Sequence, residues 1–145
     1  MCGLCGALIA TSCSHNPAEL SSSFMTIDGA EWAYGDTIKL QSPNQSGITR
    51  LTVRHTDSYP YRNLWLEVSQ RLLAADSTVS IVRDTLNIEM CDIYGQWNGS
   101  GFGDSYQLTV SLPHPLDTTT VNVRHIMRVD TIREITQLGI ITSPE

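Results

Sequence analysis

Catalysis needs a nucleophile, a base or a metal ligand held in a recognisable arrangement, and this chain offers few. Cys2 and Cys5 have C-x-x-C spacing. A redox or metal motif of that kind needs the start of a helix in a folded domain. Here the pair sits in the apolar run Met1–Ser12, which reads as a segment removed in processing. His55 and His125 each follow an arginine in a period-two run. They could hold a metal if their strands adjoin, but without Cys or carboxylate companions they read as packed sheet histidines. No G-x-S-x-G frames a hydrolytic serine and no D-x-D-x-D-G loop frames calcium. Asp76, Asp84, Asp92, Asp104 and Asp117 are scattered, and nothing favours paired catalytic carboxylates. Gly99-Ser100-Gly101-Phe102-Gly103 would cradle phosphate only between a strand and a helix. A strand pattern follows it, so a hairpin or bulge is expected. The expectation is therefore no enzyme, no metal site and no cofactor. What remains is aromatic: Tyr61, Trp65 and Trp97 are candidate contacts for a protein partner or a glycan, because flat rings stack on sugar faces. Trp65 falls opposite Leu64 and Leu66, hence outward. Both tryptophans could instead cap the core at a sheet edge.

The elements that would position these residues are strands. Ile38 and Leu40 alternate with Lys39, and Leu51 and Val53 with Arg50, Thr52 and Arg54. Leu64, Leu66 and Val68 alternate with Trp65 and Glu67. Tyr106, Leu108, Val110 and Leu112 share one face, as do Val121, Val123, His125 and Met127. Period-two runs of this kind are half-buried strands. Turn residues separate them at Ser42-Pro43-Asn44, Ser46-Gly47, Ser58-Tyr59-Pro60, Asn98-Gly99 and Pro113-His114-Pro115. Thr78–Val82, Thr85–Met90 and Gln137–Thr142 add further candidates. Trp65–Ala75 and Thr131–Leu138 hold helix formers without caps or a 3.6-residue stripe, and read mostly as strand and loop. About eight strands at short spacing argue for one antiparallel β-sandwich of jelly-roll type over residues 27–145.

The 145 residues fit one domain, and 41 % hydrophobic residues suffice for a core. The net charge of −6 disfavours nucleic acid. No basic run could dock on anionic lipid, and no stretch approaches the roughly 18 apolar residues of a spanning helix. Cys91 stands alone in the body of the chain. Residues 1–12, MCGLCGALIATS, resemble a signal segment with small residues before Cys13. That pattern is similar to a bacterial lipobox, in which diacylglycerol joins the cysteine and fatty acid such as palmitate follows. Ala10 stands where leucine is usual, and no basic residue precedes it. The alternative is an apolar N-terminal strand. Residues 13–26 read as the lipid attachment site and a flexible tether.

Arg54-His55, Tyr59-Pro60-Tyr61-Arg62-Asn63-Leu64-Trp65, Asp84-Thr85-Leu86, Gly95-Gln96-Trp97-Asn98-Gly99-Ser100-Gly101, His125-Ile126-Met127-Arg128 and Leu138-Gly139-Ile140 follow in order. Together they resemble the gliding-motility lipoprotein family GldH of the Bacteroidetes, over roughly Ala30 to Thr142. The resemblance implies a lipid-anchored component of a motility apparatus in the cell envelope; the lack of an acidic cluster directly after Cys13, such as marks surface-exported lipoproteins, points to the periplasmic side of the outer membrane. Its partners would be the membrane and other envelope or motility proteins. It implies no enzymatic activity. Arg54, Tyr59, Pro60, Asn63, Gly99, Gly101, Met127 and Arg128 are its signature residues, either as structural braces or as a binding surface. Tyr59-Pro60 breaks a strand, because proline lacks an N–H, and Asn63 can cap the turn.

Overall fold

The computed structural model describes residues 21–42 and 47–144. Residues 1–20, with Cys13 and the C-x-x-C pair, and the Pro43-Asn44 turn lie outside the described residues. Those described form β1 (Ser21–Thr26), β2 (Glu31–Ala33), β3 (Ile38–Gln41), β4 (Ile48–Thr56), β5 (Asn63–Leu73), β6 (Val79–Glu89), β7 (Ser100–Phe102), β8 (Ser105–Ser111), β9 (Thr118–His125), β10 (Thr131–Arg133) and β11 (Ile135–Ser143). One sheet has the order β1-β11-β4-β8-β7 and another β3-β9-β5-β6, with β2 and β10 paired separately. Setting aside the three-residue strands β2, β7 and β10, the rest run first-eighth-third-sixth and second-seventh-fourth-fifth. That is the jelly-roll order, a long antiparallel hairpin rolled on itself.

Alternation builds the core. Leu51 and Val53 of β4 and Leu138 and Ile140 of β11 meet Leu64, Leu66 and Val68 of β5 and Val121 and Val123 of β9, all wholly buried. Burial of each such side chain stabilises by about 1.5–3 kcal/mol.

Two expectations differ from the structure, and two helical options that the sequence left open are decided against, as its reading as strand and loop expects. Ser21–Thr26, expected as part of the tether, is β1, paired along its length from Ser21↔Thr142 to Thr26↔Gln137. A serine run shows no apolar alternation, so its partner strand rather than its own pattern makes it a strand. Thr78–Val82 and Thr85–Met90 are not two strands but the single β6. The charges between them do not interrupt it. Arg83 lies 3.8 Å from Glu67, and Asp84 lies 3.3 Å from His114. The helical option at Trp65–Ala75 yields to β5, whose Gln70 is wholly buried. Thr131–Leu138 is β10 and the start of β11, separated by Glu134 in a left-handed conformation (φ 79°). The Glu134 N–H donates to Ala30 O (2.9 Å), and Glu134 O accepts from the Thr56 N–H (3.0 Å).

On the outer face of the first sheet, Gly139 lies between Phe24 and Thr52. A Cβ at residue 139 would sit 2.5 Å from Phe24 Cε1. The bare backbone therefore lets the ring lie flat on the sheet. The Arg54 guanidinium caps that ring at 3.8 Å. It also donates to Gln107 Oε1 (2.8 Å) and Gln137 Oε1 (2.7 Å). Arg54 thus ties its own strand β4 to β1, β8 and β11. Gly139→Val should cost about 1–3 kcal/mol through overpacking. In a denaturation cycle with Phe24→Ala, the two losses should be clearly less than additive. Strict additivity would mean that the ring is not the obstacle.

The register also defines two poles. β4 ends at Thr56 opposite Ser105, β5 begins at Asn63 opposite Glu89, and His125 at the end of β9 faces Leu66. Segments 27–37, 57–62, 90–104 and 126–134 therefore gather at one pole. Ser21, opposite Thr142, marks the other, with segments 74–78 and 112–117.

Candidate functional site

The pole far from Ser21 collects most of the singled-out residues, in two groups. The first is packed inside. His55 and His125 sit at inward positions of β4 and β9, wholly buried. Those strands belong to different sheets, so the adjoining pair that a metal would require is not formed. His55 is ringed by Trp97 (4.8 Å between centroids), Tyr106 (5.7 Å, nearly parallel) and Tyr59 (5.9 Å). Trp97, a candidate contact by sequence, is part of this cluster, and its backbone bridges Cys91. The Tyr59 hydroxyl donates to Asn63 O (2.8 Å). That bond, and not an Asn63 side-chain cap, closes the turn. Burial, with Tyr61 nearby, pushes the Tyr59 phenol well above its ordinary range.

Gly99 and Gly101 serve the same cluster. Gly99 adopts φ +88° with its Cα pressed against the Gln107 backbone, a conformation and an approach that only glycine allows. A Cβ at residue 101 would meet Tyr106 Cε1 at 2.5 Å, so Gly101 leaves room for the ring that stacks on His55.

The second group opens to solvent. Tyr61, Asn63, Trp65, Thr85, Met127 and Arg128 line a cleft of about 590 Å³. Tyr61 and Asn63 also border a neighbouring cleft of about 800 Å³, which Arg62, Asn87, Glu89 and Asn98 line further out, together with Pro60. Both volumes suit a ligand. The floor is the outer face of β5 and β6, where Asn63 opposes Glu89 and Trp65 opposes Asn87. Segment 126–129 forms one wall. It is pinned by the Ile126 N–H on Trp65 O (3.0 Å) and by the Trp65 N–H on Met127 Sδ (3.2 Å). Trp65 is 39 % exposed, as its alternation implies. Five singled-out residues (Tyr61, Asn63, Trp65, Met127 and Arg128) thus converge, while Arg54, Tyr59, Gly99, Gly101 and Trp97 brace the fold. Sequence reasoning missed Asn87 and named Thr85 only within the Asp84-Thr85-Leu86 segment of the resemblance, not as a site residue. The signal that sets Asn87 in the cleft is the β5–β6 register, which a single sequence does not print.

Further along the same face Glu67 holds Arg124 in a two-pronged pair (2.9 and 3.3 Å). Hydrogen bonding from Arg124 holds the Glu67 carboxyl below its ordinary range.

The buried histidines make stability depend on pH. His55 Nδ1–H donates to Thr56 O (2.8 Å). His125 Nδ1 accepts from the Met127 N–H (3.3 Å), so its proton is on Nε2. Neither Nε2 has a hydrogen-bond partner of ordinary geometry. Burial lowers both pKa values below 6.5. Thr56 opposes that shift at His55, and the Trp32 carbonyl and Asp36 oppose it at His125. Above pH 6.5 folded and unfolded chains are both neutral here. Below it the unfolded chain takes up protons that the folded one refuses, so stability falls as pH falls. Urea midpoints should be flat from pH 8 to about 7 and decline from about 6.5 to 5. His55→Gln should flatten that decline, and an unchanged slope would remove His55 from the account.

The comparisons with known proteins come to three findings. A family model described as GldH lipoprotein matches residues 19–141, most of the chain. No curated protein matches. A solved structure from Bacillus, described as "Bacillus endospore appendages form a novel family of disulfide-linked pili", aligns over 95 % of this chain and 100 % of its own. Its identity is 11 % and its TM-score 0.33, so it carries no argument here.

Proposed function

The chain belongs to the GldH lipoprotein family, and from that premise we propose that it is a non-catalytic accessory subunit of a gliding-motility-type envelope complex. In this reading lipid on Cys13 holds it at the outer membrane, on the periplasmic side, and its far pole meets protein partners. The observation that carries the reading is polarity. The first described residue, Ser21, lies at one pole, and residues 14–20 separate it from Cys13. At the other pole the loop tips expose Phe102 (91 %), Tyr94 (83 %) and Ile93 (79 %). Large apolar side chains at such exposure on one pole mark interaction surfaces. β4, with nine residues, spans about 30 Å between the poles. The two inward histidines are enclosed by rings and strands, which supports packing over proton transfer.

Cross-linking the tagged chain in native envelopes, followed by mass spectrometry, tests the reading. Motility or secretion components should be enriched, and Phe102→Asp with Tyr94→Asp should remove them without unfolding the domain. Recovery of the bait alone, or capture indifferent to those changes, would sink it. Metabolic labelling with fatty acid tests the anchor separately: label retained in Cys13→Ala would place the lipid elsewhere.

A further inference from the structure

The cleft under Tyr61 and Trp65 is floored by side chains. The main chain beneath it is already paired, Asn63 with Glu89 and Trp65 with Asn87. An incoming peptide strand would find no free ladder on that floor. It would find the exposed indole of Trp65 and two primary amides. The side chains of Asn63 and Asn87 make no hydrogen bond with any described residue. Each amide presents an acceptor and two donors in one plane. The surroundings are stiff. Asp92 Oδ1 accepts the N–H groups of Tyr94 (2.8 Å) and Gln96 (2.9 Å). The Met90 N–H donates to Arg62 O (2.8 Å), and Asn98 Nδ2 donates to Glu89 O (2.9 Å). Unpartnered polar groups are therefore held on a fixed frame, which lowers the entropic cost of binding. The charged side chains balance, Arg62 and Arg128 against Glu89 and Asp92, so no net charge selects an ion.

We propose that this double cleft binds a neutral saccharide. A sugar ring has an apolar C–H face that stacks on an indole, and hydroxyls that each donate and accept. One ring lies on Trp65 with its hydroxyls on Asn63 and Asn87. The chain continues past Tyr61 towards Glu89 and Asn98. Of the exposed tips assigned to protein docking, Ile93 borders the outer cleft, but Phe102 and Tyr94 line neither cleft, so substitutions at those two test docking apart from the sugar.

The test is calorimetric titration of the full chain in detergent micelles with neutral hexasaccharides of glucose in α-1,4, β-1,4 and β-1,3 linkage and of N-acetylglucosamine. At least one should bind saturably, with a dissociation constant below about 1 mM. Trp65→Ala and Asn87→Ala should each weaken that binding tenfold or more and leave the thermal midpoint in place. Phe102→Asp should not change it. Absence of saturable binding to all four, or binding that survives both cleft substitutions, would overturn the proposal. Competition by a peptide but by no sugar would overturn it as well.

Discussion

Trp32→Ala should lower the free energy of unfolding by about 3–5 kcal/mol, as large-to-small changes at filled core sites do. Trp32 is 1 % exposed on the short strand β2, opposite Ile132 of β10. Its ring meets His125 edge-on at 5.5 Å, and its Nε1–H donates to Asp36 O at 2.9 Å. β2 has only three residue pairs with β10, too few to hold it without that ring. The substitution therefore removes packing, a hydrogen bond and the cover over His125 together. The second readout is the His125 imidazole. With water admitted, its depressed pKa should climb back towards 6.5. Equilibrium unfolding in urea measures the first effect and proton NMR titration the second. Trp32→Phe should keep about half of the stability and leave His125 depressed. A loss under 1 kcal/mol for Trp32→Ala would mean that the site collapses without penalty.

Gln70→Leu should cost about 2–4 kcal/mol, because it strips partners from buried groups while adding no void. Gln70 is wholly buried on β5. Its Nε2 donates to His114 O (2.6 Å) and Thr118 Oγ1 (2.8 Å), and its Oε1 accepts the His114 N–H (3.1 Å). Thr118 Oγ1 also donates to His114 O (2.7 Å), so that carbonyl keeps a partner and the orphan is the His114 N–H. The damage should be local. Hydrogen exchange in 112–118 should accelerate well before the cleft pole is affected. Uniform acceleration would show that Gln70 supports the whole sandwich rather than this turn. Gln70→Glu keeps the acceptor but sets a buried carboxylate oxygen against His114 O, so at about pH 7 it should cost more than Gln70→Leu and recover part of the loss as acid protonates it.

Gln70 also shows where the sequence stops being readable. In Gln70-Arg71-Leu72-Leu73 the propensities favour a helix. The stretch is strand because the rolled hairpin supplies partners on both sides, β6 and β9. Tertiary pairing overrides local preference there, and no window along the chain contains it. The central strands were legible because one face of each is buried and the other is not, as in Leu64, Leu66 and Val68 against Trp65 and Glu67. β1 was not, since Ser21-Ser22-Ser23 has no apolar member and owes its place to β11. β6 was cut in two by Arg83 and Asp84, charges that an edge strand tolerates because both reach partners. Half of the cleft was legible in the same way. Trp65 declares itself by alternation and Tyr61 by its place in the turn. Asn87 looks like any polar strand residue until the register sets it beside Trp65. Trp97 took the other option the sequence left open, packing against the core, and the glycines around it make room for inward rings.

The two poles have a mechanical meaning. A pull between the Ser21 end and the loops of the far pole runs along the strand axes. Ladder hydrogen bonds lie across those axes. The six residue pairs joining β1 to β11 are then loaded together in shear, like the stitches of a lap seam. Pulled sideways, the same pairs would open one at a time, like a zip. The domain is therefore stiff along the line between its two poles and weak across it.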